Sequence, residues 1–338
     1  MHPLGAEIMS FIPELYQETI DLLRSDVADL EVVLASEVVS EVEVVQQVLS
    51  HTREAGGKRL RPALLMVAAK AIGRSFDRDR ALRIGAVLEM VHMATLLHDD
   101  VIDDADTRRS RPTAARVFGN TAAILSGDVL LARAMASLAD DGDLAVIRTV
   151  SKAVVEMAEG EAREVETRSN FELSLDEHYE ILRLKTATLV ECCCRLGAIL
   201  AEATPEQREG LASFGHNIGL AFQIIDDVLD YRGEQNRTGK PFATDFREGC
   251  ATLPLILLKE HLNAEELDFA ASKFGATVVD DELRMIVSWM DQRGSFAATE
   301  KIARDHVNQA IAALAPLPKC KERDVLETFA HFVLQRDQ

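Results

Sequence analysis

Apolar residues recur at intervals of three and four positions along almost the whole chain, whereas strand-like alternation bounded by turns is scarce. A period near 3.6 places such residues on one face of an α-helix, so the sequence predicts an all-α fold. The valine-rich stretch 37–49 fits this pattern least well. Helices are predicted over 10–36, 38–53, 61–73, 78–105, 113–139, 142–168, 175–203 and 205–231, with shorter helices between 252 and 336.

The predicted helices follow one another without a flexible linker. A chain of 338 residues can bury a large core, and its length alone allows one domain or two. Because no composition shift separates two halves, we predict a single domain over 1–338. The segment from Gly233 to Gly249 contains Gly, Asn and Pro and is long enough to act as a functional loop.

The charge balance is strongly acidic, with 37 Lys and Arg against 56 Asp and Glu and a net charge of -19. Such a surface repels nucleic acid, so no nucleic-acid partner is expected, and an anionic ligand would need localised cations. The N-terminus lacks a basic region followed by an apolar run, and no stretch is expected to span a membrane. We therefore expect a cytoplasmic protein whose five cysteines are reduced.

Two acidic segments continue the apolar stripes of predicted helices. The first acidic segment (99–106) lies in LHDDVIDDADTRR and follows Ile84, Val87, Leu88, Val91 and Thr95 at helical spacing. The second acidic segment (226–230) lies in FQIIDDVLDY and ends a similar stripe. Carboxylates at the core end of a stripe need cations, and several hard oxygen ligands suit Mg²⁺, which shares its coordination with substrate phosphates. The pattern predicts a magnesium–diphosphate site.

A basic segment, HTREAGGKRLRPALL, combines a glycine break with Lys58, Arg59 and Arg61 at a helix start. Free amides and basic side chains favour a phosphate, although a solvated helix start would look the same. Arg108 and Arg109 follow the first acidic segment and could either neutralise its aspartates or bind a phosphate. The remaining polar candidates, each unremarkable alone, are His92, Lys185, Thr186, Gln223 and Lys240.

The order and spacing of these motifs resemble those of the trans-isoprenyl diphosphate synthases, or polyprenyl synthetases. The resemblance rests on GGKRLRP at 56–62, HMATLLHDDVIDDADTRRSRPT at 92–113, LKTATL at 184–189, and FQIIDDVLDY followed by GK at 239–240 and DFREG at 245–249. It implies a helical bundle of the isoprenoid synthase type around a central active-site cavity. It also implies a homodimer.

The resemblance assigns a role to each candidate residue. It implies Mg²⁺ ligands at Asp99, Asp100, Asp103, Asp226, Asp227 and Asp230. It implies contacts to an allylic diphosphate, such as farnesyl diphosphate, from Arg108, Lys185, Thr186, Gln223 and Lys240. It implies isopentenyl diphosphate binding by Lys58, Arg61, His92 and Arg109. The catalytic set would be Asp99, Asp100, Asp103, Asp226, Asp227, Lys185 and Lys240.

The residues one and two turns below Asp99 bear on product length. Ala94 and Thr95 lie one turn deeper and Val91 another turn deeper, and none is aromatic. In the family an aromatic floor near these positions is typical of short products, whereas Ala followed by Thr resembles the long-chain synthases. We therefore expect an octaprenyl-to-decaprenyl diphosphate, as in quinone side chains, with a shorter farnesyl or geranylgeranyl product as the alternative.

Two rival functions share the expected fold. A class I terpene cyclase would have no use for GGKRLRP and would mix Asn, Ser and Glu in its second metal motif, unlike DDVLD here. A non-catalytic regulatory subunit would be expected to lack some ligands. The chain departs from the family pattern at Ser110, Ala243 and Cys250, which concerns loop geometry rather than reaction class.

Overall fold

The computed structural model describes residues 17–57, 59–109, 111–232 and 242–335, with side chains from residue 23 onward. Within these ranges the chain is helical apart from one short hairpin, which confirms the all-α prediction. In the hairpin, Arg108 of β1 (Thr107–Arg108) pairs antiparallel with Arg111 of β2 (Arg111–Pro112). Lys58 and Lys240, both predicted site residues, lie outside the described ranges.

The first helices are α1 (Gln17–Glu37), α2 (Glu43–Glu54), α3 (Leu60–Ala71), α4 (Arg78–Ile102), α5 (Ala114–Phe118), α6 (Asn120–Asp141) and α7 (Leu144–Thr167). The chain continues with α8 (Leu175–Leu182), a π-helical turn (Arg183–Ala187), α9 (Thr188–Leu200) and α10 (Pro205–Arg232). It ends with α11 (Thr244–Glu248), α12 (Leu253–Lys259), α13 (Ala264–Lys273), α14 (Asp280–Gln292), α15 (Ser295–Ala313) and α16 (Lys321–Val333).

The chain divides into two compact units. The first unit comprises Met1–Lys152, Cys192–Ala212 and Ala315–Thr328. The second comprises Ala153–Glu191, Ser213–Leu314 and Phe329–Gln338. Several boundaries fall inside helices rather than in linkers, and the single domain over 1–338 stays a prediction.

In the first unit, α4 is the core helix and packs against α6, α3 and α1. Its stripe of Ile84, Val87, Leu88 and Val91 is fully buried, as the sequence pattern indicates. Asp77 begins the helix by accepting a hydrogen bond from the backbone N–H of Arg80. Because the stripe ends at the carboxyl end of α4, the core packing fixes where the first acidic segment emerges.

Two helices, α4 and α6, are long and apolar enough to cross a membrane by length and composition alone. Their most apolar 18-residue windows have mean hydropathies of 1.2 and 1.5. Length and composition alone do not distinguish a membrane span from the core helix of a soluble protein, which meets the same test. The α4 window is 72% buried inside the protein, as in the core helix of a water-soluble fold, whereas the α6 window is 33% buried. The lack of a membrane span stays a prediction.

The second unit has an aromatic core. Phe171 and Phe246 both pack edge-on against Phe274, and Tyr231 of α10 packs beside Phe296 of α15. Tyr231 is 1% exposed and its hydroxyl oxygen accepts a hydrogen bond from the Thr252 hydroxyl. This packing anchors the end of α10, which carries the second acidic segment.

Candidate active site

The first acidic segment begins on the last turn of α4. Asp100 is buried, and its Oδ1 accepts a hydrogen bond of 2.7 Å from Arg108 Nε. Burial raises the pKa of Asp100, and the Arg108 guanidinium opposes that shift. Asp99 is half-buried and Asp103 exposed, one turn apart, and the Asp103 N–H donates to the Asp99 carbonyl. Of the two roles foreseen for Arg108, the structure shows the ion pair with an aspartate.

The hairpin after α4 folds back onto the helix end. The Thr113 N–H donates to the Asp106 carbonyl, and the Thr113 hydroxyl donates to the Ala105 carbonyl. Arg109 adopts a left-handed backbone conformation with φ of 52°. These contacts place Arg108 and Arg109 next to the helix that carries His92.

A basic cleft lies beside this hairpin and is lined by His92, Arg108 and Arg109 together with Arg59 and Glu89. The pKa of His92 is lowered well below its ordinary value, first by burial and then by Arg61, Arg109, Arg108 and Arg59 in that order. The imidazole is therefore neutral at physiological pH. Four of the predicted phosphate-binding residues thus come together within the first unit: Arg61, His92, Arg108 and Arg109.

Arg109, which lines this cleft, and Arg61, which acts electrostatically on His92, supply the positive charge that remains available here. The Nε atom of Arg61 is buried and has no hydrogen-bond partner. Over the ranges the structure describes, neither guanidinium forms an ion pair, whereas Arg59 and Arg108 each do. Burial lowers the pKa of both Arg61 and Arg109, which remain protonated at neutral pH. The cleft region therefore has a neutral imidazole and two cations that Glu89 attracts without pairing with either of them in the described ranges.

The second acidic segment lies on the last turns of α10. Asp227 is buried, and its Oδ2 lies 3.0 Å from His178 Nε2 and accepts a hydrogen bond from the Leu253 N–H. Asp226 is half-buried on the same turn. Asp227 is therefore held by partners from two other helices before any ligand is present.

Asp230 caps the short helix α11. Its Oδ1 accepts from the Thr244 N–H at 3.1 Å and its Oδ2 from the Asp245 N–H at 3.0 Å. A cation at Asp230 would have to share oxygens that already serve this cap, which the additional carboxylate lone pairs permit. Burial, and then Asp230 and Asp227, raise the pKa of the Asp245 carboxyl well above its usual range. This crowding of carboxyl groups is what a bound cation would relieve.

The π-helical turn Arg183–Ala187 presents Lys185 and Thr186. Lys185 Nζ contacts Glu164 Oε1 at 2.6 Å and Glu161 Oε2 at 3.0 Å. Burial opposes its protonation, but the two carboxylates raise the pKa of Lys185 overall. The Thr186 hydroxyl donates to Gln223 Oε1 at 3.0 Å, so the structure brings these two predicted residues together.

Two glycines let neighbouring helices approach this turn. An ideal Cβ on Gly160 would lie 2.7 Å from the Lys185 N atom, and one on Gly219 would lie 2.5 Å from Ala187 Cα. Real Cβ atoms do not make contacts this short, so any larger residue at either position would push the turn away. The glycines thereby fix the backbone that presents Lys185.

The model of the family described as "Polyprenyl synthetase" matches residues 42–287, which include both acidic segments and the basic cleft. The chain belongs to the polyprenyl synthetase family. It is 34% identical over 318 residues to octaprenyl diphosphate synthase of Escherichia coli, covering 94% of this chain and 98% of that protein. It is 34% identical over 314 residues to nonaprenyl diphosphate synthase of Mycobacterium tuberculosis, covering 93% of each.

Solved structures agree with the family assignment and confirm the predicted isoprenoid synthase fold. A decaprenyl diphosphate synthase from Rhodobacter capsulatus superposes with a TM-score of 0.89 at 33% identity, covering 96% of this chain and 99% of that one. A polyprenyl synthase from Caulobacter crescentus, complexed with calcium and isoprenyl diphosphate, gives the same TM-score and identity over 96% and 98% of the chains.

A divalent metal site was predicted from six aspartates of this polyprenyl synthetase. Within the described ranges, no group of three or more His, Cys, Asp or Glu side chains is gathered closely enough to hold an ion. The donor chemistry nevertheless fits Mg²⁺, because it consists of carboxylate oxygens and because Mg²⁺ commonly takes one or two carboxylates and completes its coordination with water and phosphate. Asp99, Asp103 and Asp226 keep solvent-accessible surface and could contribute carboxylates in this way.

Four well-placed residues of this synthetase were not predicted from the sequence. Glu89 and His51 line the basic cleft, His178 contacts Asp227, and Asp245 lies beside Asp230. Glu89 had a sequence signal, since it is a charged residue on the apolar stripe one turn before His92. His178 and His51 had none, because their partners lie 49 and 61 residues away along the chain.

Proposed function

We propose that this protein is a magnesium-dependent trans-prenyltransferase. It condenses isopentenyl diphosphate with an allylic diphosphate such as farnesyl diphosphate, and it releases a long-chain polyprenyl diphosphate suited to a quinone side chain. The observation that carries this proposal is the cleft lined by Arg109 and a neutral His92, with Arg61 acting on that imidazole, next to the first acidic segment of a family member. The aspartates would bind one diphosphate through a metal ion, and the basic cleft beside them would bind a second diphosphate directly.

The allylic diphosphate is assigned to the aspartates. Asp99 and Asp103, one turn apart at the end of α4, would hold Mg²⁺, and the family resemblance adds Asp226 of α10 to the metal ligands. Mg²⁺, when bound, would supply positive charge that favours departure of the diphosphate. The allylic C–O bond breaks and its electron pair leaves with oxygen. Lys185 and the Thr186–Gln223 pair add donors to that leaving group.

Isopentenyl diphosphate is assigned to the basic cleft. Arg61 and Arg109 contribute charge-assisted hydrogen bonds, and neutral His92 can donate one N–H without adding repulsion to the arginines. The isopentenyl double bond attacks the allylic cation, a carbon–carbon bond forms, and a proton leaves to the released diphosphate. The allylic substrate loses diphosphate and the isopentenyl unit loses one proton, so the products are the lengthened allylic diphosphate, diphosphate and a proton.

Product length is assigned to the buried face of α4 below Asp99. Val91 and Ala94 are fully buried, and the Thr95 hydroxyl donates to the His92 carbonyl of its own helix. No aromatic side chain occupies these positions, which supports an octaprenyl-to-decaprenyl product. The names of the relatives, octaprenyl and nonaprenyl diphosphate synthases, point the same way.

We also propose a homodimer. Ile124 and Leu125 of α6 are 41% and 53% exposed, and Val117 just before them is 49% exposed. An apolar face of this kind on a long helix is typical of subunit interfaces. A second copy of the chain is the partner that the family resemblance favours.

One assay tests the reaction. Purified protein is incubated with Mg²⁺, labelled isopentenyl diphosphate and farnesyl diphosphate, and the dephosphorylated products are sized. Long-chain polyprenols are expected. Geranylgeraniol alone would establish the shorter-chain alternative, a cyclic hydrocarbon from farnesyl diphosphate would establish a terpene cyclase, and no product at all would reject the proposal.

A further inference from the structure

Arg59 lies between two glutamates within the first unit. Its Nε donates to Glu31 Oε1 of α1 at 2.5 Å, and its Nη1 donates to Glu89 Oε1 of α4 at 2.6 Å. Arg59 is 5% exposed and Glu89 is 3% exposed, so the pair is desolvated. The network therefore joins α1, α4 and the residue that precedes α3. The single positive charge of Arg59 is therefore matched by two carboxylates.

The backbone of Arg59 is also unusual. It adopts φ of 48° and ψ of 36°, the left-handed region that residues with a Cβ seldom occupy. The same residue begins α3, because its carbonyl accepts the N–H of Ala63. A conformation of this kind persists only where the surroundings hold it, and the two ion pairs of the side chain provide that hold. The direction in which α3 starts, and with it the position of Arg61, depends on this residue.

The neighbouring arginines crowd the same point. An ideal Cβ on Gly57 would lie 3.1 Å from Arg59 Nη1 and 3.2 Å from Arg109 Nη1, so the two guanidinium groups approach each other at this glycine. Glu89 lines the cleft and attracts Arg61 and Arg109 electrostatically as well as pairing with Arg59. Arg59 and Arg61 both act electrostatically on Arg109, so removing Glu89 would leave repulsion among the three cations less compensated. With it, Arg59 is neutralised and the other two cations keep their places.

We propose that Glu31, Arg59 and Glu89 form a positioning network that holds Arg61 and Arg109 ready for the diphosphate of isopentenyl diphosphate. The inference rests on the proposed function of the basic cleft and extends it to residues that do not touch the substrate. Arg59 gives its hydrogen bonds to protein carboxylates, so it acts through the placement of Arg61 and Arg109. The network contributes pre-organisation, which strengthens binding by reducing the ordering that the ligand must impose.

The test compares the Glu31→Gln and Glu89→Gln variants with the wild type in two measurements. Calorimetric titration with isopentenyl diphosphate measures binding without turnover, and steady-state kinetics measure KM for each substrate. Loss of a positioning charge should weaken isopentenyl diphosphate binding and raise its KM about tenfold in each variant, while KM for farnesyl diphosphate and kcat change less than about threefold. Arg59→Lys, which can reach only one carboxylate, should fall between the wild type and Arg59→Gln.

Asp26→Asn is the matched control. Asp26 lies on the same helix as Glu31, is 2% exposed, and pairs with Lys70 and Arg78 away from the cleft. This variant should lower Tm and leave binding of isopentenyl diphosphate unchanged. If Glu31→Gln and Glu89→Gln affect binding no more than Asp26→Asn does, the network is purely structural and the proposal is overturned. Should Glu89→Gln fail to fold, Glu31→Gln decides, because Glu31 is 42% exposed and tolerates the change.

Failure of the proposed function gives a different result. In that case the wild-type protein itself neither binds isopentenyl diphosphate in the calorimeter nor elongates farnesyl diphosphate. A wild type that does both, combined with unaffected glutamine variants, rejects the positioning network alone.

Discussion

His178 Nε2 lies 3.0 Å from Oδ2 of Asp227, and both side chains are buried. The contact joins α8 to the second acidic segment and fixes the orientation of a carboxylate that the family resemblance places at a metal. Outer-shell partners of this kind commonly change metal affinity by about 10–100-fold when they are removed.

We therefore expect His178→Ala to raise the Mg²⁺ concentration needed for half-maximal activity about tenfold, with kcat at saturating Mg²⁺ reduced less. A magnesium titration of the initial rate measures this. His178→Asn, which keeps a hydrogen-bond donor, should recover part of the affinity. An unchanged magnesium requirement in His178→Ala would show that Asp227 needs no help from this imidazole.

Lys185 is held by Glu161 and Glu164 before a substrate arrives. Replacing it with Gln removes the donor that we assign to the leaving diphosphate and leaves the carboxylates of Glu161 and Glu164 without this cation. We expect kcat to fall about 100-fold, as when one transition-state donor is deleted elsewhere, and Tm to fall as well. Lys301→Gln is the control, since that lysine is 72% exposed and pairs with Asp305 on its own helix. Wild-type turnover in Lys185→Gln would remove this lysine from the site.

Ala94 is fully buried one turn below Asp99. Ala94→Phe should shorten the main product by several isoprene units, because an aromatic ring would fill the path of the growing chain. Overpacking should also cost about 1–3 kcal/mol of unfolding free energy. Chromatography of the dephosphorylated products measures the length, and Ala94→Leu should give an intermediate distribution. If both variants keep the wild-type distribution, Ala94 does not limit the product.

The lowered pKa of His92 has a defined effect on stability. In the unfolded chain His92 takes up a proton near pH 6.5, whereas in the folded protein it takes up that proton only at a lower pH. The unfolding free energy therefore falls as the pH drops below about 6.5 toward the folded-state pKa. Above that range the residue contributes no pH dependence.

His92→Gln removes this component. The unfolding free energy of the wild type, minus that of the variant, should therefore decrease by up to about 1.4 kcal/mol per pH unit between about pH 6.5 and about pH 5.5. Denaturant unfolding across this range, extended to about pH 8 as the flat reference, measures the difference. A difference that stays constant with pH would mean that His92 is readily protonated in the folded protein.

Leu125 is 53% exposed on α6. A charge at this position would be desolvated in a subunit interface, so Leu125→Glu should convert a dimer into a monomer. Gel filtration with light scattering measures the mass. Val32→Glu is a matched control on α1, where the valine is 71% exposed, and it should leave the mass unchanged. A dimer that survives Leu125→Glu would move the interface elsewhere.

Helical periodicity predicted most of the helices to within a few residues, including α4 and α10, because it reports directly on the buried face. It failed where one residue changes the local geometry. The predicted helix 113–139 is interrupted at Gly119, whose φ of 86° no helix permits, and the predicted helix 175–203 contains the π-helical turn. The predicted helix 38–53 begins only at Glu43, because residues 38–42 of the valine-rich stretch are non-helical.

The residue types of the site could be predicted from the sequence, but their pairings could not. Each DDxxD segment indicates carboxylates at the end of a buried apolar helix face. GGKRLRP indicates basic side chains that follow a glycine break at a helix start. The pairing of Arg59 with Glu31 and Glu89 depends on packing between helices distant in sequence. The pairing of Asp100 with Arg108 depends on how the hairpin folds back onto the end of α4. The roles of these residues stay predictions until the variants are measured.

Arg108 both lines the basic cleft and binds Asp100. The bond to Asp100 uses Nε, and a guanidinium has four further N–H donors that can reach an anion in the cleft. One side chain can therefore contact both of the proposed substrate positions at once. If it does, binding at one position changes the affinity at the other, and by thermodynamic linkage that factor is the same in both directions. The order in which the two diphosphates bind is then set by rates.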